Sequence, residues 1–192
     1  MINDITINGL VYKWQEEFDV NLTLAYENNS SSEWHIIREF VSNALDCVNM
    51  DIDKVQITNY NKSIHIKDDG DGYPLVYAKR IGATSKKDDS STIGMFGEGF
   101  KMSLLTCIRK NIKVMLASMD WLIVPKLVES EGHQVLFYDI YCTGQPMNGS
   151  LVIIETIEAI TEVINNLHDY FLHYSKEQCL SGNQSNGIYP LN

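Results

Sequence analysis

Apolar positions along the chain change period several times, and each change marks an element. Residues 5–14 (ITINGLVYKW) alternate loosely, as a strand does, inside an N-terminal strand or arm spanning 1–30. From Ile36 the period lengthens. Ile36, Ile37, Phe40, Val41, Ala44, Leu45 and Val48 cover half a helical wheel, with Arg38, Ser42 and Asn49 on the solvent arc. Ser30 and Glu33 read as an S-x-x-E capping box, which predicts a helix opening there and running to about Met50. Residues 54–59 (KVQITN) and 62–67 (KSIHIK) return to period two, joined at Tyr60–Asn61 by a hairpin-sized connection.

An Asp/Gly-rich turn (68–74), a polar stretch (82–93) and a glycine-rich segment (94–99) lead into a second helix at about 99–109. Strand texture then dominates, at 112–118, 121–128, 133–141 and 150–155, before an amphipathic helix at 157–174 and a polar tail at 175–192. This order predicts an α+β fold, a two-layer sandwich of a mixed, mostly antiparallel sheet with helices on one face.

Composition narrows the setting. The 192 residues, 44% hydrophobic, make one globular domain whose core needs no disulfide or metal staple. Four widely spaced cysteines without a C-x-x-C pair fit reduced thiols. No apolar run reaches the ~18 residues of a membrane span, and Met1–Asp4 opens no leader, so a cytoplasmic protein is expected. The net charge of −10 disfavours sequence-independent nucleic-acid binding and leaves a protein partner or a homodimer as the expected macromolecular contact.

Three local patterns carry chemistry. Glu39, Asn43 and Asp46, spaced i, i+4, i+7, share a narrow arc beside the apolar edge of the first helix, suited to a cation or polarised water, or else an ordinary surface flank. Asp68 continues the phase of Ile64 and Ile66, which turns its carboxylate toward the apolar side, where a ligand amino group would satisfy it. Gly70 and Gly72 follow, clearing space for a close approach; a calcium loop fits poorly, because Lys79 or Arg80 stands where the bidentate Glu belongs. Finally, Gly94-Met95-Phe96-Gly97-Glu98-Gly99 feeds a helix N-terminus, an arrangement that binds anions, although it is neither a Walker loop nor a Rossmann fingerprint.

Taken in order, E-x-x-x-N-x-x-D, D-x-G-x-G and G-x-x-G-x-G resemble the GHKL superfamily of ATPases, which includes the gyrase B subunit, 90-kDa heat-shock chaperones, sensor histidine kinases and MutL. The resemblance runs over about residues 33–155, through R-E-F-V-S-N-A-L-D-C (38–47), I-K-D-D-G-D-G-Y-P (66–74) and I-G-M-F-G-E-G-F-K (93–101). I-G-A-T-S-K (81–86) is similar to the ATP lid of MutL-like and MORC-like members, a lid expected over about 75–96 within an ATP-binding domain at 31–174. N-G-S-L-V-I-I (148–154) is similar to a later family strand, with Ser150 replacing its Thr.

The resemblance implies ATP and Mg²⁺ as ligands, with Glu39 as general base for the attacking water and Asn43 as the Mg²⁺ ligand. Asp46 and Asp68 fall at the adenine end, Asp68 accepting from the adenine amino group with Ser150 in support. Gly70 and Gly72 lie against the base. Gly94, Gly97 and Gly99 supply N–H groups to the phosphates, with Ser85, Lys86 and Lys101 adding polar or charged contacts. The Asp46-Cys47 ending is closest in style to the chaperone, MutL and MORC-like branch. Gyrase-type and MutL-type members take a catalytic lysine from a following transducer domain, for which no room is expected in this chain. The expectation is therefore a slow ATPase acting as a nucleotide-dependent, chaperone-like switch for a protein partner; the alternatives are a non-hydrolysing regulatory or inhibitor module and a small serine protein kinase.

Overall fold

A computed structural model describes residues 3–26, 32–80 and 99–171. Eight strands form one curled sheet: β1 (Ile5–Ile7), β2 (Leu10–Thr23), β3 (Val55–Asn59), β4 (Ser63–Asp68), β5 (Val114–Ser118), β6 (Trp121–Ser130), β7 (His133–Cys142) and β8 (Ser150–Glu155). Their order across the sheet is β1-β2-β7-β6-β5-β8-β4-β3. Every pairing among the described residues is antiparallel, so the mixed component expected from sequence is not found there. The helices are α1 (Glu33–Cys47), α2 (Leu75–Lys79), α3 (Gly99–Arg109), α4 (Glu158–Asn165) and α5 (Leu167–Tyr170). None among the described residues is long and apolar enough to cross a membrane.

The core forms where α1 meets the sheet. Ile36, Ile37, Val41 and Leu45 are fully buried against Ile64, Leu116, Ile123 and Ile154 in one cluster. Helices α3 and α4 flank α1. A second, smaller cluster (Tyr12, Met115, Leu122, Tyr141 and Ile153 among its members) fills the opposite face, where the sheet curls and the β1–β2 hairpin joins it. The strand 114–118 is consequently buried at all five positions, a run that alternation alone does not mark as two-faced.

Three expectations are corrected. The cap of α1 is Ser32, whose hydroxyl accepts from the His35 N–H, so Glu33 is the first helical residue rather than the third of a capping box with Ser30, itself outside the described residues. Ser42 leaves the solvent arc: it is 4% exposed, because helices pack on both flanks of α1. The long helix at 157–174 is broken into α4 and α5 around Asn166, and 172–174 lie outside the described residues.

The N-terminal region is part of the sheet. Asn8 and Gly9 both adopt positive φ (51° and 81°), the geometry of a two-residue type I′ hairpin between β1 and β2. Strand β2 then pairs with β7 as far as Thr23, with register shifts at Trp14/Glu16 and Asp19/Thr23 that blur its alternation.

On the far face of β4, His65 is buried, hydrogen-bonded through Nε2 to the Ser63 hydroxyl at 3.1 Å and against the Tyr60 ring. Burial pushes its imidazole down to about 4. An unfolded histidine titrates near ~6.5, so the unfolded chain takes up the proton first as pH falls between these values. Stability should be lost through that window, by up to about 3 kcal/mol. Denaturant titrations at neutral pH and near ~pH 4.5 should show His65→Gln flattening this dependence; an unchanged pH slope would contradict it.

Candidate functional site

The end of β4 delivers Asp68 to the helix side of the sheet. Its carboxylate is 1% exposed. Oδ2 accepts from the Ser150 hydroxyl, and Oδ1 accepts from the Gly70 N–H at 3.0 Å. Burial pushes its pKa up, and the hydrogen bonds from Ser150 and Gly70 oppose that shift. The Ser150 backbone N–H donates to Asp68 as well, and a carboxylate, with two lone pairs on each oxygen, keeps acceptor capacity beyond these bonds.

Around it, side chains are absent where backbone crowds. A Cβ on Gly70 would strike the Cys47 carbonyl at the end of α1, and one on Gly72 (φ 70°) would lie 2.8 Å from the Gly149 carbonyl. Gly149 is the tightest: at φ 71°, its Cβ would sit 2.7 Å from both the carbonyl carbon and Oδ1 of Asp68. Gly149→Ala should therefore cost about 2 kcal/mol and lower the melting temperature by roughly 6 °C. A melt identical to wild type would show that the 148–150 turn does not press on Asp68.

The polar stripe of α1 runs away from the Asp68 turn. Asp46 is 8% exposed and adjoins Cys47, whose carbonyl meets Gly70. Asn43, one turn back, is half-buried, and its amide makes no hydrogen bond to another described residue. Glu39 lies a further turn away and its carboxylate occupies the space a side chain at Gly99 would need, at the N-terminus of α3. The stripe thus spans about 10 Å, from the α3 N-terminus to the Asp68 turn. Glu39 also pairs with Arg38 at 2.5 Å, although the wheel had put Arg38 simply on the solvent arc.

Lys101, expected as a phosphate contact, projects from the first turn of α3. It is 1% exposed, and its ammonium donates to the Tyr77 carbonyl in α2 at 2.9 Å, a last-turn carbonyl suited to a cation. Ser85, Lys86, Gly94 and Gly97 lie outside the described residues, as does the expected lid from 81 onward; its first part, 75–79, is α2.

Among the described residues, no three His, Cys, Asp or Glu side chains converge to hold a metal. Mg²⁺ bound with a nucleotide takes few protein ligands and fills its shell with phosphate oxygens and water. A single amide oxygen beside a carboxylate, as at Asn43 and Glu39, fits that donor set. Sequence reading passed over Gly149 as a site residue, although Asn148-Gly149 is a turn signal. Compared with known proteins, the chain matches no family model and no curated protein.

Proposed function

We propose that the chain is an ATP–Mg²⁺-binding domain of the GHKL type, a slow ATPase whose nucleotide state switches its contact with a protein partner. The observation that carries this reading is the buried Asp68 carboxylate, held among Ser150, Gly70 and Gly149, at one end of a stripe whose other end meets a helix N-terminus. An amino-bearing base suits the first end and an anion the second. Asn43, between them, would hold Mg²⁺ through its amide oxygen. Bound there, the ion would supply positive charge that offsets the charge of the phosphates. Glu39 would take the proton of the attacking water.

A second reading, a nucleotide-binding module without turnover, is favoured by the ion pair that engages Glu39 with Arg38. Calorimetry of the full chain with Mg–ATP, beside a phosphate-release assay, tests both. Saturable binding with slow release supports the ATPase, and binding with no release supports the module. The absence of binding would remove both.

A further inference from the structure

Ser118, the last residue of β5, belongs to none of the motifs and lies under the base end of the site. Its hydroxyl is wholly enclosed at 0% exposure. It accepts from the Tyr73 N–H at 3.0 Å and donates to the Gly149 carbonyl at 3.1 Å. With the acceptor role taken by one segment and its only proton given to the other, the hydroxyl has one orientation. Its strand position is opposite Ser150 in the β5–β8 register, and a Cβ on Gly72 would come within 2.6 Å of its Oγ. Trp121, opposite Ser118 in the β5–β6 hairpin, donates its indole N–H to the Tyr73 carbonyl at 2.9 Å and packs edge-on against the Tyr73 ring. The segment after Asp68 is therefore pinned by both the N–H and the C=O of Tyr73, and Ser118 ties it to the turn that supplies Ser150.

The geometry points to Ser118 as a positioning residue for base recognition: one buried hydroxyl sets the spacing between the Asp68–Tyr73 turn and the Gly149–Ser150 turn, the two halves of the pocket. This rests on the nucleotide reading above and adds that the base end is preorganised from β5, a strand outside the three sequence motifs. Removing the hydroxyl leaves a buried N–H and a buried C=O without their partner, and the two turns lose their common anchor.

The test compares wild type, Ser118→Ala and Trp121→Phe, the last keeping an aromatic ring while losing the N–H to Tyr73. Calorimetry with Mg–ATP and with adenosine should show Ser118→Ala weakening both by the same factor, about tenfold, with kcat for phosphate release unchanged at saturation. Trp121→Phe should show the same pattern with a smaller factor, and it carries the test if Ser118→Ala does not fold. Equal affinities in wild type and both variants would overturn the inference, as would a loss confined to ATP or a fall in kcat. Wild type that binds neither ligand would overturn the nucleotide reading and this inference together; wild type that binds, with variants that bind equally well, overturns this inference alone.

Discussion

Asp68→Asn is expected to leave the protein folded and to weaken Mg–ATP binding about a thousandfold, because a site built to accept a ligand hydrogen bond rejects the mismatch strongly. Asn presents an acceptor and an NH₂ group where the carboxylate presents acceptors only. Its oxygen can keep the Gly70 N–H while its NH₂ turns to Ser150, whose hydroxyl can accept instead of donate, but a base amino group then meets a donor where the carboxylate offered an acceptor. Stability should move the other way. Burial raises the pKa of Asp68 in the folded state, so the native protein binds its proton more tightly than the unfolded chain does. Stability from this group is present at low pH and is lost as pH rises through the folded-state value. At neutral pH the ionised carboxylate is therefore a net cost, and Asn relieves it. The expected signature is a melting temperature equal to or above that of wild type together with lost affinity. Wild-type binding should itself weaken on acidification, at a higher pH than an ordinary aspartate would set. Undiminished ATP affinity in Asp68→Asn would remove this residue from the base pocket.

Glu39→Ala is expected to reduce phosphate release about a thousandfold while leaving Mg–ATP affinity within a few-fold, the split that separates a general base from a binding group. The carboxylate sits at the α3 N-terminus, against a glycine that leaves it room. It is a turn from Asn43, so the proposed base and the proposed metal ligand project from one rigid helix rather than from a loop. Side-chain exposure is 22%, enough for water to reach it. A single-turnover assay beside calorimetry checks the split. Turnover equal to wild type would sink the assignment; equal and negligible release by both proteins would favour the binding module.

The fate of individual residues shows what was legible. Period two in Ser63–Asp68 put Asp68 in phase with Ile64 and Ile66, and all three are buried on one side. The same logic applied to Val114 and Leu116 leads to Ser118, a polar residue in phase with a buried face, which no neighbouring glycine or acid marks as part of a site. Ser42 went wrong for the opposite reason. A wheel assumes one buried stripe, whereas α1 is covered by the sheet and by two helices. Residues 15–23 were not legible as strand, because their polar run is held by pairing with β7, more than a hundred positions away, and is interrupted by two register shifts.

Sequence alone determined the elements whose patterns are local: the helices at Glu33–Cys47 and Gly99–Arg109, the 55–68 hairpin, and the strands from Val114 to Glu155. It also singled out Glu39, Asn43, Asp46 and Asp68, because a polar residue in a fixed phase with apolar neighbours is visible without knowing what covers them. Tertiary structure decided which of these meet. It put Gly149 against Asp68, Glu39 against Gly99, Lys101 on the Tyr77 carbonyl, and Ser118 between two turns. Those contacts join residues distant in the chain, and short-range periodicity holds no information about the sheet order and helix packing that create them.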